Sequence, residues 1–491
     1  MISFYDVDGR MGLKNVWDLL DWGKHIQIVS RIQARIVKAV KNGLKQTARS
    51  LQRLLSNSLA AKLIAIKRVI SNSGKRTPGV DNILIDTPRK RWETLKNLNL
   101  PEYKAKPLKR IYIPKKNGKK RPLGIPAMHD RVEQALDLLG LDPVSESTAD
   151  NHSYGFRKVR SAQDAMGAIY NALRRKGSAD WILEADIKGC FDHIGHRWLD
   201  ENIPMNKKKL QQWLKCGYLE KRTFNQTNEG TPQGGIISPT LANMALDGIQ
   251  NLLADNFRKT DKIHFVRYAD DFIITGRSPE LLETCVKPLI EGFLKIRGLE
   301  LSEEKTMITH IDDGFDFLGF NVRKYKGKLL IKPSKSSIKS IKAKVRDYLN
   351  ANKTRRTDVV IAKLNTIIRG WANYFKHVVS RKVFGDLDHA FWQMTWRWAR
   401  RRHPNKYKGW VKGKYYRRIK GRDWRFMEKG NPEPLILLGP TRLIRHTKIR
   451  AKVNPYDSVW GDYLKARWKR RQLLGVATRL RNVSIEMRHH L

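Results

Sequence analysis

With 491 residues, 41% of them hydrophobic, the chain is long enough for roughly three or four domains with real cores. Lys and Arg number 97 against 47 Asp and Glu, a formal net charge of +50 that would repel itself strongly unless a polyanion is the usual partner. Nucleic acid is the natural candidate and an anionic membrane surface the weaker one, since there is no apolar run of transmembrane length and no signal peptide at the amino terminus. The three cysteines, Cys190, Cys216 and Cys285, lack Cys-x-x-Cys spacing, which excludes a disulfide scaffold and a cysteine zinc site and fits a reducing interior.

Residues from about Asn15 to Ser73 read as helical, because apolar residues recur near helical spacing with basic ones between them. Gly74 to Asp81 breaks that pattern. Pro107 to Pro114 and Arg121 to Pro126 read as two extended strands joined by the basic turn Lys115 to Lys120, forming a basic hairpin. Asp130 to Gly140 looks helical. Ile182 to Ile187 is a short, mostly apolar strand that ends at a carboxylate, Asp186. Gly230-Thr231-Pro232-Gln233-Gly234-Gly235 is a Gly-rich turn, with a helix predicted from Ser238-Pro239 by an N-cap and Pro-at-N1 signal. Phe265 to Thr275 reads as strand, tight turn, strand, with Asp270-Asp271 at the tip. From Lys335 to Arg402 the pattern is helical again, without proline. Arg397 to Arg425 then holds thirteen Lys/Arg against one Asp, interleaved with Trp398, Tyr407, Trp410, Tyr415, Tyr416 and Trp424. That mixture suits a surface that pairs with phosphates and stacks on bases, or else a solvated basic loop.

Consecutive side chains on a strand point to opposite faces, so Asp270 and Asp271 serve one site only if a turn breaks the alternation. By itself such a turn is equally well a solvated one. Asp186 offers a third carboxylate on a second strand. A hard cation wants a few oxygen ligands, and nucleotidyl transfer uses two such ions, one at the attacking hydroxyl and one at the leaving pyrophosphate.

A basic hairpin, a strand Asp with Phe191 five residues on, Pro-Gln-Gly-Gly and Tyr-Ala-Asp-Asp, in that order, resemble the reverse transcriptases. The resemblance is closest to the reverse transcriptase/maturases encoded in bacterial group II introns. Thr77-Pro78-Gly79-Val80-Asp81, Ser153-Tyr154-Gly155-Phe156-Arg157, Gly298 to Thr306, Phe315 to Phe320 and Arg369 to Phe375 extend it over roughly Trp17 to Arg471. It implies an α+β fold: right-hand polymerase fingers and palm with an antiparallel palm sheet over residues 89–330, after a helical, RNA-binding N-terminal extension over 1–88. An α-helical thumb/maturase domain over 331–430 and a small C-terminal DNA-binding region over 431–491 would follow. Residue by residue, Asp186, Asp270 and Asp271 would hold two Mg²⁺ ions, with Mn²⁺ a possible substitute, and Ile187 would lend its backbone carbonyl. Lys115 and Arg121 would meet the incoming triphosphate, with Lys109 and Arg110 also qualifying. Phe191 matches the ring that selects dNTPs over NTPs, Gln233 would touch the nascent pair or template, and Lys305 could protonate the leaving pyrophosphate.

The implied activity is RNA-directed DNA synthesis by a maturase that binds its own intron RNA, assists its splicing and copies it into target DNA as a ribonucleoprotein. The implied setting is the bacterial cytoplasm, at the nucleoid when on target DNA. Two rival readings are an RNA chaperone with a decayed polymerase and a reverse transcriptase recruited to a host role. The intact acidic triad speaks against the first. Departures from the family are the lack of an HNH endonuclease pattern at the carboxyl end, where His489-His490 is no nuclease motif, and Asn82 where Gly is more usual. No strand cleavage by this chain is therefore expected.

Overall fold

The computed structural model of the chain describes residues 13–114, 118, 120–221, 223–430 and 433–473. Four helices open it: Leu13–Asp18, Trp22–Lys41, Lys45–Asn57 and Leu59–Ser71. Asp21 caps the second by accepting from the Lys24 N–H at 3.0 Å. Their apolar stripes, including Ile36, Leu55, Ile66 and Val69, pack around the long helix Met128–Thr148 through Val132 and Leu136. Asn82 has φ 54°, a left-handed backbone that asparagine adopts more readily than most residues, so the departure from Gly keeps the turn.

The basic hairpin forms as expected from β1 (Leu108–Pro114) and β2 (Lys120–Ile125), antiparallel with Ile113 opposite Arg121. The strands β4 (Tyr218–Glu220) and β5 (Thr223–Asn225) extend this sheet, β4 running parallel to β1. A second sheet has the order β6-β7-β3-β8, built from β3 (Trp181–Ala185), β6 (His264–Tyr268), β7 (Asp271–Gly276) and β8 (Met307–His310). All its pairings are antiparallel. Its strands are largely apolar on both faces because both are covered. Leu183, Phe265, Phe272 and Ile274 join one core cluster with the helices Ser238–Leu246 and Lys287–Lys295. Ile182, Val266 and Ile273 join another with the helix Ala162–Leu173.

That second core runs on without a break through a small meander, β9 (Phe315–Phe317), β10 (Phe320–Tyr325) and β11 (Lys328–Pro333), into the helices Lys335–Ala351, Thr357–Phe375 and Arg381–Arg402. Phe375 is buried, with Trp371 and Tyr374 packed against the same core. The aromatic residues from 397 to 425 divide differently from the composition-based expectation. Trp398, Tyr415 and Tyr416 are buried, and Tyr416 donates its hydroxyl to Thr395 Oγ1 at 3.0 Å. They form the heart of a small subdomain made by the helix Lys408–Tyr415 and the hairpin β12 (Tyr416–Ile419) and β13 (Arg422–Phe426). Tyr407, by contrast, is 74% exposed. The interleaved cations lie over rings, Arg402 4.5 Å from Trp398 and Lys412 4.8 Å from Trp424, so part of the pattern is cation–π packing rather than a stacking face.

The last described segment folds back on the sheet domain. Ile449 and Val453 are buried in the same core, and Asp164, at the start of the helix Ala162–Leu173, receives Arg467 Nη2 at 2.7 Å, His446 Nε2 at 2.9 Å and the Ile449 N–H at 2.7 Å. Among the described residues no helix is long and apolar enough to cross a membrane.

Candidate active site

Strand register brings the three candidate carboxylates together. Ala185 pairs with Phe272 across β3 and β7, so one step on sets Asp186 against Asp271. Tyr268 pairs with Asp271, leaving Ala269-Asp270 as a two-residue turn. Ala269 has φ 59°, the left-handed conformation that such hairpins need at a central position, which costs a non-glycine residue of order 1–3 kcal/mol. The turn breaks the alternation that would otherwise part the two aspartates.

The electrostatics are those of crowded acids. Burial, then the charge of Asp186, raises Asp270 above the ordinary carboxylate range, with Arg121 and Lys305 pulling the other way. Crowding by protein, a hydrogen bond shared with Asp186 and the charge of Asp270 push Asp271 up to about 7. The ammonium of Lys305, at the end of a 3₁₀ turn (Glu303–Lys305), is hydrogen-bonded to Asp186 Oδ2, and its own pKa is raised by that bond. Among the described residues, no three His, Cys, Asp or Glu side chains converge closely enough to enclose an ion as they stand. The donor set nevertheless fits a hard divalent cation. It offers only carboxylate oxygens, and its mutual repulsion is what a cation relieves.

The other predicted residues divide. Arg121 lies within electrostatic reach of Asp270. Arg110 pairs with Gly124 while Arg121 pairs with Ile113, so by strand alternation the two occupy opposite faces of the hairpin. Arg110 is instead stacked 3.8 Å over the Tyr218 ring, and Lys109 shares the Arg121 face. The structure therefore does not join Arg110 to Arg121. Lys115 lies outside the described residues. Ile187 bridges Leu301, but the bonds run from its neighbours, Lys188 N–H to Glu300 O at 3.0 Å and Ser302 N–H to Asp186 O at 2.8 Å. The Ile187 carbonyl thus points away from that ladder.

Phe191 is half-buried, and its carbonyl accepts from the Thr231 N–H at 2.6 Å. Gly230 makes this approach possible. With φ 82°, a Cβ there would lie 2.4 Å from Asp192 O. Gln233 donates its side-chain amide to Asp192 Oδ2 at 3.0 Å, and its carbonyl accepts from the Gly124 N–H at 2.9 Å, tying the Gly-rich turn to the basic hairpin. The helix predicted beyond it begins at Ser238, but Ile237 holds the N-cap position with no side-chain cap, and Ser238 Oγ is buried and unpartnered.

Sequence reasoning missed the support beneath the acidic hairpin. Arg267, fully buried on β6, donates to Asp247 Oδ1 at 2.5 Å, Asn243 Oδ1 at 3.1 Å and the Ala269 carbonyl at 3.3 Å. Arg157 forks onto Glu146 at 2.6 and 3.0 Å and donates to Asp150 O at 2.8 Å. The signal was present. A lone cation inside the apolar strand Phe265-Val266-Arg267-Tyr268 demands a buried partner.

Comparison with known proteins agrees with this arrangement. Residues 113–322 match the family described as reverse transcriptase (RNA-dependent DNA polymerase), residues 17–98 the N-terminal domain of reverse transcriptase, and residues 338–416 the group II intron, maturase-specific domain. Protein YkfC of Escherichia coli (strain K12) is 31% identical over 300 residues, 52% of this chain and 78% of that protein. Group II intron-encoded protein LtrA of Lactococcus lactis subsp. cremoris is 29% identical over 411 residues, 64% of this chain and 68% of that protein. The chain belongs to the group II intron reverse transcriptase/maturases. Maturase-like protein 1 of Euglena gracilis is a more distant relative, 25% identical over 385 residues, 75% of this chain and 80% of that protein. As a family member the chain is an RNA-directed DNA polymerase and splicing maturase, with RNA as a partner. The polymerase match spans Asp186, Phe191, Gln233, Asp270, Asp271 and Lys305.

Proposed function

We propose that this reverse transcriptase/maturase copies its own group II intron RNA into DNA from dNTPs at the β3–β7 edge, as a ribonucleoprotein that inserts the intron into target DNA. The observation that carries this is the register that sets Asp186 against Asp271 with Asp270 in the adjoining turn. In this reading residues 89–330 are the fingers and palm, 331–430 the thumb and maturase domain, 1–88 an RNA-binding extension and 431–491 a DNA-binding region. Asp186, Asp270 and Asp271, with the Ile187 carbonyl, hold a pair of Mg²⁺ ions, for which Mn²⁺ can substitute. When bound, the ions supply charge neutralisation for phosphoryl transfer.

The chain's own residues do the rest. Arg121, exposed on β2 and within reach of Asp270, grips the triphosphate by a bidentate fork, with Lys115 and Lys109 adding charge. Phe191 stands under the incoming sugar and clashes with a 2′-hydroxyl. Gln233, held by Asp192, borders the nascent pair. Lys305 releases Asp186 and donates a proton to the leaving pyrophosphate. The test is extension of a DNA primer on an RNA template with Mg²⁺, comparing wild type with Asp270→Ala. Loss of cDNA synthesis with RNA binding retained is expected, because the acids and the basic surfaces are separate. Retained synthesis in a clean preparation would overturn the assignment.

A further inference from the structure

Phe156 combines two features that are rarely found together. The residue is 55% exposed, and its backbone is left-handed at φ 57°, a conformation that a bulky aromatic residue seldom adopts. Strain of this kind persists only where the surroundings over-determine it, and here they do on both sides. The Tyr154 N–H donates to Arg267 O at 2.9 Å. Gly155 is pressed so tightly on the acidic hairpin that a Cβ would lie 2.2 Å from Ala269 N, and its carbonyl accepts from Asn243 Nδ2 at 3.0 Å. On the far side Arg157 is locked onto Glu146. The chain is pinned before and after Phe156, and the ring is turned outward between the pins.

It is turned toward Phe191. The two rings meet edge to face, with centroids 6.0 Å apart and planes at 81°. The Phe191 backbone is already fixed by the Thr231 N–H and the contact with Gly230, whereas its ring is only half-buried and needs a lateral support to hold one orientation. We infer that Phe156 is a positioning residue for sugar selection: it buttresses the Phe191 ring, so that the acidic hairpin, through Gly155, sets the distance between the carboxylates and the sugar-sensing ring. This rests on the reading of Phe191 as the sugar gate, and it adds a second aromatic wall that acts through the first.

Single-nucleotide incorporation on an RNA template tests it, reading kcat/KM for dATP and for ATP with wild type, Phe156→Ala, Phe156→Tyr and Phe191→Val. Phe156→Ala removes one ring pair and is expected to lower the dATP-over-ATP ratio about three- to tenfold, chiefly through a lower KM for ATP. Phe156→Tyr keeps the ring and restores the ratio. Because Phe156 is exposed, its replacement leaves the core intact. A fall in kcat shared equally by both nucleotides, with the ratio unchanged, would make Phe156 merely structural and overturn the inference while Phe191→Val still relaxes selection. If Phe191→Val also leaves the ratio unchanged, the gate reading and this inference both fall.

Discussion

Replacing Arg267 by Met keeps the length of the side chain but strips its charge and its donors. Asp247 is then left as a carboxylate with 7% side-chain exposure and without the partner that stood 2.5 Å away. Breaking a buried ion pair from one side destabilises by about 3–5 kcal/mol, because the remaining charge stays desolvated. The Ala269 carbonyl loses its 3.3 Å donor as well, so the damage falls on the acidic turn. Hydrogen exchange read on peptides covering residues 264–276 reports that opening directly. At about 1.4 kcal/mol per decade, protection should drop by roughly two to three and a half powers of ten. Misplacement of Asp270 by about an ångström should lower kcat by about a hundredfold. Arg267→Met with Asp247→Leu removes both charges and should recover more than half of the lost protection. A loss of less than tenfold in the single variant, or a double variant no better than the single, would refute the reasoning.

Two further outcomes follow from neighbouring residues. Gly155→Ala should loosen the hairpin by about 1–3 kcal/mol and depress polymerase kcat, since its Cβ meets backbone at 2.2 Å, whereas Gly177→Ala, with open space around it, should be silent in both assays. His152 is partly buried, and burial, reinforced by the charges of Lys448 and Arg160, lowers its pKa to about 4. The unfolded chain takes up the proton near 6.5, so this contribution to stability is intact above that pH and is lost as pH falls toward 4, by at most about 3 kcal/mol. Urea midpoints at pH 7 and 4.5 should therefore fall further for wild type than for His152→Gln, and parallel declines would contradict the shift.

The local chemistry of the site was legible because it is written in short stretches. Apolar flanks around Asp270-Asp271, and the mostly apolar stretch Trp181 to Ala185 before Asp186, announce strands and their ends whatever else the chain does. Helical spacing did the same for Trp22–Lys41 and for the helices after Ser334. Relations between distant segments were not legible. Nothing near Arg267 names Asp247, and nothing near Arg110 says which face of the hairpin it takes until the register with Gly124 is known. Trp398, Tyr415 and Tyr416 show the limit most clearly. A basic, aromatic-rich composition describes a stacking surface and a cation-rimmed core equally well, and only burial separates them. Ser238 illustrates a smaller limit. Its capping signal was sound, but the helix took it in as the first residue of its first turn.

Asp164 carries a consequence for how the molecule is made. Beyond the local Ser161 hydroxyl at 2.7 Å, three of its partners, His446, Ile449 and Arg467, lie 282, 285 and 303 residues downstream. At a synthesis rate of about 5–20 residues per second, the carboxylate waits roughly 15–60 s between leaving the ribosome and meeting its counter-charges. During that interval the helix it begins cannot be sealed into the core without burying a bare charge. The helix that covers one face of the sheet with the candidate acids is therefore sealed only when the far end of the chain arrives. A nascent chain stalled before Ile449 would hold every candidate site residue discussed above and still lack the counter-charges of Asp164.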